Sequence, residues 1–257
     1  MSKTTVFDYQ AQVGLTKHMG GLAATETLIR LCGIEAAHEV LEVGCGVGQT
    51  SVLLVKRCGC RVVGVDLRPG MLAFAEARAR KHRVSDRTEF RVGDITDLPF
   101  GDKKFDVVFG ESITVFAPDH AKAIHEYARV LKHGGVLGLN ETVWLKTPPP
   151  EIEAWMSREL SGGAHTRTVG DWGALMEGAD LSLDVSQVHA YDIRTELRGM
   201  LQRYGCGGYL VVVLRQIGLY IRDPDYRSFV REIQQDRVIP ENLDEYLGYG
   251  LFVARKL

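Results

Sequence analysis

The sequence contains no long hydrophobic run. Its most apolar stretch, Tyr209–Leu214, meets Arg215 far short of the roughly 20 residues that a membrane-spanning helix needs, so no membrane association is expected. It also has no surplus of either charge. The 31 Lys and Arg against 33 Asp and Glu leave a net charge of −2. That balance excludes the broad basic surface by which a protein neutralises nucleic-acid phosphates or anionic lipid, and no nucleic-acid partner is expected. Cysteine is sparse and unpaired in pattern. Cys32, Cys45, Cys58, Cys60 and Cys206 are odd in number and scattered, which suits a reducing, cytoplasmic compartment better than a disulfide framework. Cys58-x-Cys60 lacks a second ligand pair at zinc spacing, so no metal is expected. The start, Met1-Ser2-Lys3-Thr4-Thr5-Val6-Phe7-Asp8, lacks the apolar core of a secretory leader, and none is expected.

What the chain does have is length and a glycine loop. At 257 residues and 45% hydrophobic content it can bury a large core as one domain with a cap. The stretch Val40-Leu41-Glu42-Val43-Gly44-Cys45-Gly46-Val47-Gly48-Gln49-Thr50 reads as a buried strand, a turn of alternate glycines, and a helix resuming at Gln49. A dinucleotide site wants G-x-G-x-x-G, with a helix N-terminus facing a pyrophosphate. Here the spacing is G-x-G-x-G, with Glu42 two places before the first glycine. This resembles motif I of the class I S-adenosylmethionine-dependent methyltransferases, in which the loop wraps the methionine half of the cofactor.

Apolar runs and helical patterns then alternate. Strands are expected at Glu39–Val43, Arg61–Val65, Thr88–Val92, Phe105–Phe109 and Val136–Asn140. Helices are expected at Thr25–Leu31, Gln49–Arg57, Leu72–Lys81 and 118–132, the last closed by Gly134-Gly135. Asp66 follows the second strand about 20 residues beyond the glycine loop, where a carboxylate can take both ribose hydroxyls. Asp66-Leu67-Arg68-Pro69-Gly70-Met71-Leu72 is similar to the family's D-x-S-x-x-M-L, with Arg68 in place of serine. Gly93-Asp94-Ile95-Thr96-Asp97-Leu98-Pro99-Phe100 is similar to its G-D-x-x-x-L-P-F. His18-Met19-Gly20-Gly21-Leu22-Ala23-Ala24-Thr25 resembles the segment that folds over the cofactor in phosphoethanolamine-type methyltransferases, with Tyr9 as a candidate lid tyrosine; an ordinary helix cap is the other reading.

The resemblance therefore implies an α/β fold: a Rossmann-like, doubly wound, seven-stranded sheet with the last strand antiparallel and helical cap insertions. It implies S-adenosyl-L-methionine as cofactor and S-adenosyl-L-homocysteine as product. The cofactor-binding residues it implies are Tyr9, His18, Gly20, Glu42, Gly44, Cys45, Gly46, Gln49, Thr50, Asp66, Leu67, Met71, Asp94, Ile95, Glu111 and Phe116. The division expected is a helical lid over 1–37, a core over 38–191 and 245–257, and a helical cap over 192–244.

In the last third, helices are expected at Glu151–Leu160 and Val169–Gly178, and strands at Leu181–Val188 and Tyr246–Arg255. A hairpin between those strands would need only a handful of residues, so 192–244 is an insertion. It reads as helices over Glu196–Ile221 and Asp225–Arg237, with a break at Gly205–Gly208. Its apolar surplus suits either the roof of a substrate pocket or a homodimer interface.

Methyl transfer mainly requires that the acceptor be positioned, with a base where the acceptor must lose a proton. Glu111, just past the fourth strand, could receive a cationic substrate, act as base, or cap the following segment. His18 is the other catalytic candidate, or a contact to the cofactor carboxylate. Glu141, Trp144 and Tyr191 are candidate pocket walls, whereas His120 and His165 read as solvated. Thr114-Val115-Phe116 stands where the phosphoethanolamine enzymes place a histidine, so that substrate is not carried over. The base-stacking D/N-P-P-Y/F motif is absent at Gly110-Glu111-Ser112-Ile113. The expectation is a methyltransferase for a small, partly apolar metabolite. A protein or RNA-base methyltransferase and a silent cofactor-binding partner are the alternatives, and hydride transfer is the remaining rival.

Overall fold

A computed structural model describes residues 6–159, 165–235, 240 and 242–257. The chain begins with helices α1 (Val6–Val13) and α2 (Gly21–Leu31) and then alternates. The alternation runs β1 (Glu39–Val43), α3 (Gln49–Cys58), β2 (Arg61–Asp66), α4 (Pro69–His82), β3 (Thr88–Val92), β4 (Phe105–Glu111), α5 (His120–Val130) and β5 (Leu131–Trp144). Next come α6 (Pro150–Glu159), the two-residue β6 (Arg167–Thr168), α7 (Val169–Glu177) and β7 (Leu181–Ala190). Helices α8 (Ile193–Arg222), α9 (Pro224–Gln235) and α10 (Leu243–Tyr246) precede β8 (Leu247–Lys256).

The strands lie in the order β3-β2-β1-β4-β5-β8-β7, parallel except for β8, which runs antiparallel to both neighbours. Short β6 adds an eighth strand beside β5, outside this path. Val40, Leu41, Val43, Val107, Val108 and Phe109 are buried because helices cover both faces, which is why β1 and β4 read as continuous apolar runs. The order reverses between β1 and β4, so their carboxyl ends open a crevice at the switch point.

Local sequence explains most boundaries. Pro69 occupies the first turn of α4, where its missing N–H costs nothing. α5 buries Ala123, Ile124, Tyr127, Ala128 and Val130, and Asp119 caps it by accepting from the Lys122 N–H at 3.0 Å. The expected glycine cap of this helix is corrected. Leu131 is already extended, and Gly134 (φ 72°) lies in an irregularity early in β5, where the register with β4 shifts. α8 is broken at Gly205 (φ 64°, ψ 165°), at the first residue of the expected break. Tyr246, expected to open the last strand, ends the one-turn helix α10 instead.

On the far half of α8, Leu210, Leu214, Ile217 and Ile221 are exposed at 4-3-4 spacing. Among the described residues no helix is long and apolar enough to cross a membrane.

Candidate functional site

The glycine loop leaves β1 with Gly44 (φ 66°), Gly46 (φ 51°) and Gly48 (φ 70°) all in the left-handed region, which side chains disfavour. The three also differ in what stands over them. A Cβ on Gly44 would overlap the side chain of Ile113, from the turn after β4. One on Gly46 would come within 2.5 Å of Thr16 Cγ2, from the segment joining α1 to α2. One on Gly48 would come within 2.7 Å of Ala75 Cβ, where α4 packs. The first two glycines thus keep the loop bare beneath two covering segments, and the third permits helix packing.

A cavity of about 330 Å³ opens between the loop and these covers. It is walled by Glu42, Gly44, Cys45, Gly46, Gln49 and Thr50 from the first βα unit, and by Asp66, Leu67, Arg68 and Met71 from the second. Gly93, Asp94 and Ile95 continue the wall past β3, and Glu111, Ser112, Ile113, Phe116, Ala117 and Pro118 past β4. Phe7, Gln10, Thr16, Lys17 and His18 close it from the N-terminal side.

Asp66 reaches back to the loop: Oδ2 accepts from the Gly46 N–H at 3.0 Å and Oδ1 from the Arg68 N–H at 2.9 Å. Burial pushes its carboxyl above the ordinary range against the pull of these N–H groups. Asp94 Oδ1 accepts from both the N–H and the hydroxyl of Thr96 at 2.8 Å, which shapes the turn after β3. Arg68, standing where the family pattern has serine, pairs with Asp8 of α1 at 3.0 Å, and its guanidinium lies 5.1 Å from the Phe7 ring centre. It ties the N-terminal helix to the Asp66 side of the cavity.

The Glu111 side chain is only 6% exposed yet lines the cavity, and both its oxygens are engaged. Oε1 accepts from the Thr25 hydroxyl and Oε2 from the Thr50 hydroxyl, each at 2.9 Å. His18 Nε2 lies 3.5 Å from Oε2 and 3.1 Å from Thr25 Oγ1. His18 Nδ1 is 3.1 Å from the Met19 carbonyl, which can only accept, so Nδ1 carries a proton. Nε2 is therefore the nitrogen that gains or loses one. Glu42, buried beside the loop, accepts from the Ser51 hydroxyl.

Fourteen of the sixteen expected cofactor residues stand on this one wall; Tyr9 and Gly20 do not. Tyr9 is buried against Tyr226 and Phe229 of α9, with ring centres 4.9 and 4.6 Å away. A Cβ on Gly20 would come within 2.5 Å of the Tyr249 ring, so that glycine serves packing under the start of α2. The expected pocket walls Glu141, Trp144 and Tyr191 do not line this cavity: Glu141 is enclosed beneath the turn after β4, and the other two pack against a cluster of Met19, Ile152, Met156, Leu243 and Leu247. His120 is not solvated either. It is buried, stacked on Trp172 at 5.3 Å, accepts from Arg167 at 2.7 Å, and donates to the Val115 carbonyl at 3.3 Å. Burial holds it below the usual histidine range.

Sequence reasoning missed Thr16, Lys17, Thr25, Ser112 and Ile113. Thr25 lies in the segment already singled out, at the end opposite His18, but inside α2 rather than before it. Ile113 and left-handed Ser112 (φ 51°) follow a strand end and carry no local pattern that could have marked them.

A methyltransferase-domain family model matches residues 40–135. The chain is 38% identical over 225 residues to an uncharacterized protein of Haemophilus influenzae, covering 86% of this chain and 89% of that one. It is 40% identical over 146 residues to erythromycin 3''-O-methyltransferase of Saccharopolyspora erythraea, covering 53% of this chain and 47% of the enzyme. It thus spans about half the length of that enzyme. In fold it is similar to the crystal structure of the MccD protein, with a TM-score of 0.71 at 18% identity, covering 94% of this chain and 99% of that one.

Proposed function

Because the chain belongs to the class I S-adenosylmethionine-dependent methyltransferases, we propose that it moves a methyl group onto a small, partly apolar metabolite. The observation that carries the reading is convergence: four separate sequence segments, each resembling a cofactor motif, end on one cavity of about 330 Å³.

The chemistry of that wall suits the cofactor. Glu42, Asp66, Asp94 and Glu111 bring four carboxylates against Lys17 and Arg68. Carboxylates outnumber cations on this wall by four to two, which favours a cationic sulfonium nucleoside over a doubly charged pyrophosphate. Gly44 and Gly46 supply bare backbone for the methionine half, Asp66 the acceptor for the ribose hydroxyls, and Asp94 with Ile95 the adenine end. Glu111, between the Thr25 and Thr50 hydroxyls, is placed for the cofactor's ammonium or the reacting end of the acceptor. When bound, the cofactor supplies an activated, positively charged methyl group.

The chain's own work is to hold the acceptor in line, exclude water, and take up a proton where the acceptor releases one. His18 Nε2 is the atom proposed to receive it. In one setting Nε2 accepts from the Thr25 hydroxyl. In the other Nε2–H faces Glu111 while that hydroxyl turns to Oε1. Asn140 adjoins Glu111 in the register of β4 and β5, and its buried Oδ1 has no hydrogen-bond partner among the described residues.

Labelled cofactor incubated with the protein and a metabolite extract tests the reading by mass analysis. A small-molecule product heavier by one methylene is expected. Label appearing on protein or RNA, or on nothing while a nicotinamide coenzyme binds instead, would refute it.

A further inference from the structure

The turn after β4 supplies Ser112, Ile113, Phe116, Ala117 and Pro118 to the cavity, yet its sequence gives it little reason to keep one shape. It starts with Ser112 in the left-handed region, a conformation that costs a non-glycine residue energy and persists only when neighbours enforce it. The enforcement comes from below. Glu141, on β5, has no solvent exposure, and its carboxylate faces three consecutive backbone N–H groups of the turn. Oε1 accepts from Ile113 at 3.3 Å and Thr114 at 2.8 Å, and Oε2 accepts from Val115 at 3.3 Å. The other polar groups of the turn are held as well. Ser112 N–H donates to the Asn140 carbonyl at 2.6 Å, and the Val115 carbonyl accepts from His120.

We propose that Glu141 is a positioning residue, whose buried carboxylate clamps the turn after β4 and so fixes the side-chain wall over the glycine loop. The link to the cavity is Ile113: its N–H is in the clamp, and its side chain occupies the space where Gly44 has no Cβ. A shift of this turn moves the cover of the loop that is read above as the cofactor's seat, and the inference rests on that reading. The carboxylate is an expensive choice for the site. Burial pushes it up to about 7, against the pull of the Thr114 hydroxyl and the three N–H groups. An apolar residue would avoid that cost but leave three enclosed N–H donors without an acceptor. A carboxylate offers two oxygens and no donor, which matches a run of three N–H groups; an amide does not.

Two measurements test this. Hydrogen exchange on the wild-type chain needs no substitution: the amides of 113–115 are expected to exchange at least about a hundredfold more slowly than unstructured chain, and loop-like rates would overturn the clamp. Glu141→Gln keeps the volume, removes the charge, and turns an amide donor toward the N–H run. At pH 8 this variant is expected to melt at or above the wild-type temperature while its calorimetric Kd for S-adenosylhomocysteine rises at least about tenfold. Glu141→Asp, which keeps the two acceptors on a shorter arm, is expected to recover part of that loss. Unchanged affinity in Glu141→Gln, or a loss of stability in parallel with affinity, overturns the positioning role. Should wild-type protein fail to bind S-adenosylhomocysteine at all, the cofactor reading falls, and the exchange rates alone decide the clamp.

Discussion

Replacing Asp66 by Ala is the sharpest test of where the nucleoside sits. Its carboxylate is offered to the cavity and proposed to take both ribose hydroxyls, each bond being charge-assisted and worth about 1.5–3 kcal/mol. Losing two such bonds weakens binding by about 3–6 kcal/mol, which is roughly a hundredfold to ten-thousandfold in Kd. The same carboxylate holds the Gly46 and Arg68 N–H groups, so a loosened loop adds to the loss. Asp66→Asn separates the two effects. It keeps one oxygen as acceptor, and because burial already pushes the Asp66 carboxyl up, losing the charge costs the fold little. The asparagine variant is therefore expected to melt near wild type and to bind S-adenosylhomocysteine about 10- to 100-fold more weakly by calorimetry. An alanine variant that folds, as judged by circular dichroism, and binds within about threefold of wild type would refute the ribose assignment.

Three further outcomes are expected. Glu141, held at about 7 in the folded chain against an ordinary value of 4.5, gives stability that is fully present below pH 4.5 and lost as the pH rises through 7. The total is about 3 kcal/mol, and Tyr127 across the turn stays neutral throughout because burial pushes its phenol up. Urea unfolding free energies at pH 5.5 and 8.5 should show about 2 kcal/mol of this fall in wild type and none of it in Glu141→Gln; the same pH dependence in both would refute it. Gly44→Ala meets both the left-handed φ and the Ile113 side chain and should cost about 1–3 kcal/mol. Adding Ile113→Ala should return only the overlap part, so unfolding free energies that simply add would contradict the contact. The exposed row Leu210, Leu214, Ile217 and Ile221 has heptad spacing, which a second copy of α8 could meet across a two-fold axis. Sedimentation is expected to give a dimer that Leu214→Glu dissociates, and a wild-type monomer at high concentration would remove the idea.

β1 was legible because it is buried and reads as an apolar run, and β3, an edge strand with no buried residue, because its apolar and polar residues alternate. The cavity wall was legible wherever a motif sits directly at a strand end: Gly44 and Gly46 after β1, Asp66 after β2, Asp94 after β3, Glu111 at the end of β4. What was hidden is everything that arrives from a distance. Glu141 reads as one more strand-end carboxylate, and only the pleat decides that it faces away from the cavity and up into the turn. Gly134-Gly135 looked like a helix stop because glycines commonly are; the stretch of β5 between Leu131 and Val136, set against Asp106 alone in β4, makes them part of a strand irregularity. Tyr9 packs against α9, far along the chain, and no local pattern in the sequence announces that contact.

The same distinction separates what the glycine loop can do alone from what it does here. A bare loop needs a ceiling to become a site, and the two ceilings over Gly44 and Gly46 are Ile113 and Thr16. Ile113 is held by Glu141. Thr16 is held by Tyr204 of α8, whose hydroxyl receives the Thr16 N–H at 2.7 Å and lies 3.1 Å from its carbonyl, one residue before the break at Gly205. Each ceiling is therefore fastened from outside the segments that resemble the family motifs: one by a buried strand carboxylate, the other by a tyrosine of α8. The Tyr204 hydroxyl is thus one link by which a change in α8 reaches the cavity. Tyr204→Phe, which removes that hydroxyl and little volume, is expected to weaken S-adenosylhomocysteine binding by about three- to tenfold with little change in melting temperature. An affinity identical to wild type would mean that the segment joining α1 to α2 keeps its place without this hydroxyl, and would remove the link.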